Sequence, residues 1–155
     1  MATEEQKKTR QMKLFNEVIF GLAKGMWELF GEGAFALSTE IGEEILEEME
    51  HDMGLEIQGE TPQDILTEIE RIYVDEVGGA LAADLKIKDE RTDVFIEGCI
   101  LKHACTDLQK EGIKPFTCVP MMLAAAALRE RLGLKEQLDD IVIKGDKCDI
   151  AFVMV

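Results

Sequence analysis

LKIKDERTDVFIEGCI, residues 85–100, is where the chain changes period. Upstream of it, apolar residues recur every three or four positions; from Leu85 they alternate with polar ones. Leu85-Lys86-Ile87-Lys88 reads as a half-exposed strand, because successive side chains of a strand leave opposite faces. Asp89-Glu90-Arg91-Thr92 reads as a turn, and Val94 to Ile100 is β-branched and apolar enough for a second strand. The two predict a hairpin that follows a run of helices instead of alternating with them.

Working back toward the N-terminus, Lys13 to Phe30 carries Leu14, Val18, Leu22, Trp27 and Leu29 on one stripe and Phe15, Ile19, Ala23, Met26 and Phe30 on a neighbouring one, the spacing of an amphipathic helix. Gly31 and Gly33 punctuate it. Phe35 to Met53 repeats the helical period, with an outer face rich in glutamate and Gly54 just past its end, and the two segments read as a helical hairpin. Thr61-Pro62-Gln63-Asp64 is a helix start, with Thr61 as cap, Pro62 at the first helical position and Asp64 at capping-box spacing. Working forward from the hairpin, Thr106 to Lys110 predicts one or two helical turns. Pro120 to Leu132, with alanine at positions 124 to 127, predicts a closely packed helix closed by Gly133. Ile141-Val142-Ile143 and Cys148 to Val155 predict a second hairpin around a glycine-containing turn.

Runs of helices and hairpins without βαβ alternation imply an α+β fold: a helical layer, made of the N-terminal helical hairpin plus two further helices, on a four-stranded antiparallel sheet. No Pro- or Ser-rich linker and no repeat interrupts the sequence, so residues 1–155 read as one domain. The chain has 17 Lys+Arg against 32 Asp+Glu, a net charge of −15. Phosphates and anionic membranes are bound by clustered cations, so this balance argues against both as partners. No apolar run is long enough for a membrane span, and the N-terminus lacks the apolar core of a secretory signal; the expectation is a cytoplasmic protein.

The four cysteines, Cys99, Cys105, Cys118 and Cys148, all fall in the C-terminal part of the chain, from residue 99 onward. In a reducing compartment, stable disulfides are disfavoured. What remains is inert buried thiols, redox chemistry or a metal site. Zinc takes thiolate and imidazole ligands, and the spacing Cys99-x3-His103-x-Cys105 together with Cys118 and Cys148 allows a three- or four-ligand centre, although no CxxC pair is present. Cys118 falls at the start of the alanine helix, where the helix dipole favours a thiolate. The glutamate run 43–50 reads as a solvated helix face, and His51 as a cation at a helix C-terminus. No nucleophile elbow, P-loop, GxGxxG or HExxH occurs.

The terminal hairpin, with Gly145, Asp146 and Cys148 followed by Ile150 and Phe152, resembles the C-terminal part of the 4-vinyl reductase, or hydrocarbon-binding, domain family, whose fold is similar to that of the small subunits of the TRAPP tethering complex. The resemblance implies a small-molecule sensor or carrier. Cys148 and Cys118 match the family's cysteines, and Cys99 or Cys105 with His103 would complete a metal site. The leading expectation is therefore a binding module. An apolar ligand would lie between helices and sheet, lined by Trp27, Phe30, Phe35, Phe116 and Met121, with a structural zinc on some of Cys99, His103, Cys105, Cys118 and Cys148. A homodimeric interaction protein is the second expectation, and an enzyme using Cys118 the third.

Overall fold

A computed structural model describes residues 1–155. Along the chain run α1 (Glu4–Phe30), α2 (Leu37–Glu47), α3 (Pro62–Arg71), β1 (Ala82–Lys88), β2 (Arg91–Glu97), α4 (Lys102–Lys110), α5 (Val119–Leu132), β3 (Glu136–Lys144) and β4 (Lys147–Met154). The strands form one sheet in the order β1-β2-β4-β3, antiparallel throughout. This is the expected α+β architecture. Two sequence-local hairpins are joined through the β2–β4 pairing, and α4 and α5 lie in the connection between them.

The alternation at Leu85 sorts the two sheet faces. Leu85, Val94, Ile96, Ile141, Ile150 and Phe152 point into the main core, where Ile65, Leu66 and Ile69 of α3 and Leu123, Ala127 and Leu128 of α5 meet them. Lys86 and Asp93 pair across the opposite, solvent-facing side. The α3 start forms as its sequence predicts: Thr61 Oγ1 accepts from the Asp64 N–H at 3.2 Å, and the Thr61 N–H donates to the Asp64 carboxylate at 3.1 Å. α2 packs on α5 at a glycine. A Cβ at Gly42 would lie 2.1 Å from the Met122 carbonyl oxygen and 3.2 Å from Ala126 Cβ, so the alanine run and this glycine together set how closely the helices approach.

A second, smaller cluster joins α1 to α4. Ala23, Ala34, Leu108, Ile113 and Phe116 are buried there, flanked by Phe20, Met26, Trp27 and Phe35. The first two helices thus have different principal partners, α4 for α1 and α5 for α2, with a 3₁₀ segment from Gly31 to Ala36 between them.

Several boundaries differ from expectation. α1 begins at Glu4, nine residues before Lys13, because Thr3 and Gln6 form a capping box that the polar composition of this segment hides. α2 and α3 end in single π turns, Glu48–Asp52 and Ile72–Glu76. β3 starts at Glu136, ahead of the apolar Ile141-Val142-Ile143 run. β2 stops at Glu97 instead of continuing to Ile100, because Gly98 turns the backbone with φ +66° and donates its N–H to the Asp146 carbonyl at 2.9 Å. No helix is long and apolar enough to cross a membrane.

Candidate thiol-lined site

The early end of β2 places the first cysteine. Cys99 follows Gly98 in the bend between β2 and α4. Cys105 lies on the buried side of α4, and Cys118 is the N-cap residue of α5. Cys148 sits on the inner face of β4, in register between Ile96 of β2 and Ile143 of β3. All four line one small cavity of about 20 Å³, together with Ile96, Ile143, Lys102, Asp146 and Lys147. Such a volume holds one water molecule or one ion.

All four thiols are free. Burial pushes the Cys148 thiol up to about 12, and the nearby Cys105 and Cys99 push the same way. Burial also lifts Cys105 to about 12, opposed by a contact between its sulfur and the Thr117 hydroxyl at 3.8 Å. Cys118 is raised well above the ordinary thiol range, again chiefly by burial. The helix dipole at the start of α5 therefore loses to desolvation, and the thiolate expected of Cys118 from its position is not favoured. The Tyr73 hydroxyl lies 3.4 Å from Cys99 Sγ, and burial followed by the Cys99 sulfur raises the phenol out of its usual range.

His103 does not join this group. It is exposed on the solvent side of α4 and does not line the cavity. The stretch from His103 to Cys105 is helical, and residues two apart on a helix point about 200° from each other, so the two side chains cannot face one site. As folded, no three histidine, cysteine, aspartate and glutamate side chains stand in a set that could hold a metal ion. The donor chemistry suits a thiophilic ion, whereas the ligand set is not preformed, and nothing in it singles out zinc.

Asn16 secures the site from behind and has no signal in the sequence, where it reads as one more polar residue of an amphipathic helix. It is almost wholly buried. Its amide donates to the Ile100 carbonyl at 2.8 Å, and its side-chain oxygen accepts from the Ala104 N–H at 2.9 Å. Leu101, at the N-cap of α4, supplies no side-chain cap, so Asn16 caps this helix from α1.

The five residues expected around an apolar ligand do not line one cavity, although Trp27, Phe35 and Phe116 form one aromatic cluster. Trp27 packs against Phe35 with ring centroids 5.5 Å apart and planes tilted by 37°, and Phe35 meets Phe116 edge-on at 5.7 Å; Phe116 is a core residue. Phe30 points to solvent. Phe35 and Met121 alone reach a cleft of about 450 Å³ between the 3₁₀ segment, α5 and β3, whose walls also include Leu138, Phe152, Lys114 and Glu136. Glu136 has no signal in the sequence either, since the apolar run that marks β3 begins after it. Burial raises its carboxyl to about 7, against a hydrogen bond from Thr92 that pulls the other way.

Fold and site together define a small α+β domain whose cysteines share one cavity. Residues 12–152 match the family model described as "Putative rubredoxin C-terminal domain", and the chain belongs to that family. No curated protein sequence matches it. The family is not the 4-vinyl reductase family that the terminal hairpin resembles; the small α+β domain is what stands of that expectation. The Gly-Asp element that carried the resemblance is turn chemistry: Gly145, with φ +62°, takes the first position of a two-residue hairpin loop, a position that favours glycine in any family.

Proposed function

We propose that this domain is a thiol-based metal module of the cytoplasm, folded as one unit over residues 1–155, in which Cys99, Cys105, Cys118 and Cys148 take up one thiophilic ion such as iron or zinc. The observation that carries this reading is the convergence of every cysteine in the chain on one ion-sized cavity. Inert core thiols have no reason to gather from four separate positions in the sequence. The family description, naming a rubredoxin domain, points toward metal or redox chemistry as well. A sulfur-only donor set selects thiophilic ions over magnesium or calcium. Binding replaces four thiol protons with the ion, and Lys102 and Lys147, which line the cavity beside Asp146, offset the thiolate charge that remains. Because the ligand set is not preformed, uptake requires side-chain rearrangement, and the ion would then stabilise the junction of β2, α4, α5 and β4.

The cleft supports a second reading, in which an amphipathic small molecule lies against Phe35, Met121, Leu138 and Phe152; its volume falls within the range of ordinary ligand pockets. One experiment addresses both readings. Protein purified under reducing conditions without chelator is measured by native mass spectrometry and elemental analysis, and then titrated with Co²⁺. Stoichiometric metal, or a thiolate-to-cobalt charge-transfer band lost in Cys118→Ser/Cys148→Ser, supports the thiol module. Metal-free protein without that band sinks it. An organic adduct in the same spectra supports the cleft reading, and its absence from protein isolated from the native host removes that reading.

A further inference from the structure

α1 presents a second feature, independent of the thiols. Its first turns, Glu4 to Phe15, are exposed on every side, and the helix does not bury a residue until Asn16. Isolated helices of this length are marginal in water. Leu14, Val18, Leu22 and Leu29 stand exposed at 66%, 51%, 56% and 78%, and at 100° per residue they fall on one stripe with Phe15 beside it. Gly25 lies within that stripe and Gly21 at its edge. A glycine in mid-helix weakens it relative to alanine, yet a Cβ at either position would meet nothing within 4 Å in this chain. The fold itself gives no reason for these glycines. Close approach of another helix does.

We infer that the stripe is covered by the same stripe of a second copy of this chain, packed antiparallel and centred between Gly21 and Leu22. In that register Leu14 faces the partner's Leu29, Val18 faces the partner's Gly25, and Leu22 faces the partner's Gly21, so each glycine receives an apolar side chain. Charge favours this direction. After Glu4 and Glu5, the first half of α1 carries Lys7, Lys8, Arg10 and Lys13 and is net basic in a chain of net charge −15, whereas Glu17, Glu28 and Glu32 outnumber Lys24 in and just after the second half. Antiparallel pairing sets the basic segment beside the partner's Glu28 and the partner's Glu32; parallel pairing would set basic against basic. The two-fold relation makes the interface self-complementary.

Sedimentation velocity of the full chain at 1–100 μM tests this, with far-UV circular dichroism confirming the fold. The expected result is a dimer whose dissociation constant rises about 100-fold or more in Leu22→Glu, with unchanged helicity. Leu14→Glu, in the exposed turns of α1 that precede Asn16, is the second variant and has the same expected outcome. Glu28→Lys/Glu32→Lys should weaken the dimer at low salt, and adding Arg10→Glu/Lys13→Glu should restore it. A monomer at 100 μM, or a dimer indifferent to both leucine variants, overturns the proposal. Failure of the charge reversal to rescue overturns the antiparallel register.

Discussion

Glu136 sits at the start of β3 with one carboxylate oxygen held by the Thr92 hydroxyl at 2.9 Å and the other buried without a partner. Burial disfavours its charge and lifts the carboxyl to about 7. An acid whose folded value lies above its unfolded one helps stability most when protonated. Its contribution is complete below the ordinary glutamate range and is lost as pH rises to about 7. Glu136→Gln keeps the acceptor for Thr92 and removes the charge, so the variant should match the parent near pH 4 and exceed it at pH 8, by at most about 3 kcal/mol. Thermal melts of both proteins across that span check this; a variant less stable at pH 8 would show that the ionised carboxylate is stabilised instead. Single residues were the least legible scale in the sequence. Asn16 and Glu136 are polar letters in polar surroundings, and only the long-range packing of α1 on α4, or of β3 under the cleft, gives them a role. His103 errs in the other direction, since its residue type suggested a ligand that helical geometry turns away.

At the scale of elements, the sequence was legible wherever a local rule acts alone. Periodicity located the helices, the Thr61-Pro62-Gln63-Asp64 cap fixed the start of α3, and Gly133, left-handed at φ +66°, closed α5. It was less legible where distant segments intervene. The end of β2 depends on a hydrogen bond from Gly98 to Asp146, across the sheet, and no window around residue 98 contains that information. The alanine run did announce close packing, and α2 is the helix that uses it. Gly42→Ala places a methyl group against the Met122 backbone, which cannot swing aside as a flexible side chain would, so the α2–α5 pair must separate. The expected cost is about 1–3 kcal/mol, the usual range for overpacking. Chemical denaturation should show a lower midpoint with an unchanged slope and native helicity. An unchanged midpoint would mean that the two helices are free to shift apart.

For the whole molecule, neither the convergence of the sulfurs nor the charge balance belongs to any one element. Positions 99, 105, 118 and 148 meet because β2 pairs with β4 and because α4 and α5 occupy the connection between them. The count of cysteines was visible in the sequence, but their common cavity follows from topology. The excess of acid was visible from the start, and the fold shows how little of it is neutralised: the ion pairs are mostly exposed, as with Arg71 to Glu68 and Glu76, or Arg129 to Glu40 and Glu43, and pairs of that kind contribute little. Glu43, Glu44, Glu47 and Glu50 crowd one surface around His51, Arg129 and Glu130. With a net charge of −15, self-repulsion at neutral pH outweighs these weak attractions, so added salt should relieve more repulsion than it costs in pairing. Raising NaCl from about 0.05 to 0.5 M at pH 7.5 and fixed protein concentration should therefore raise Tm by roughly 2–4 °C, equivalent to about 1 kcal/mol for a chain of this size. Near the sequence pI of about 4.5 the net charge vanishes and the gain should vanish with it. A Tm that falls with salt at pH 7.5 would mean instead that attractive pairing, within one chain or across α1 in a dimer, outweighs the repulsion.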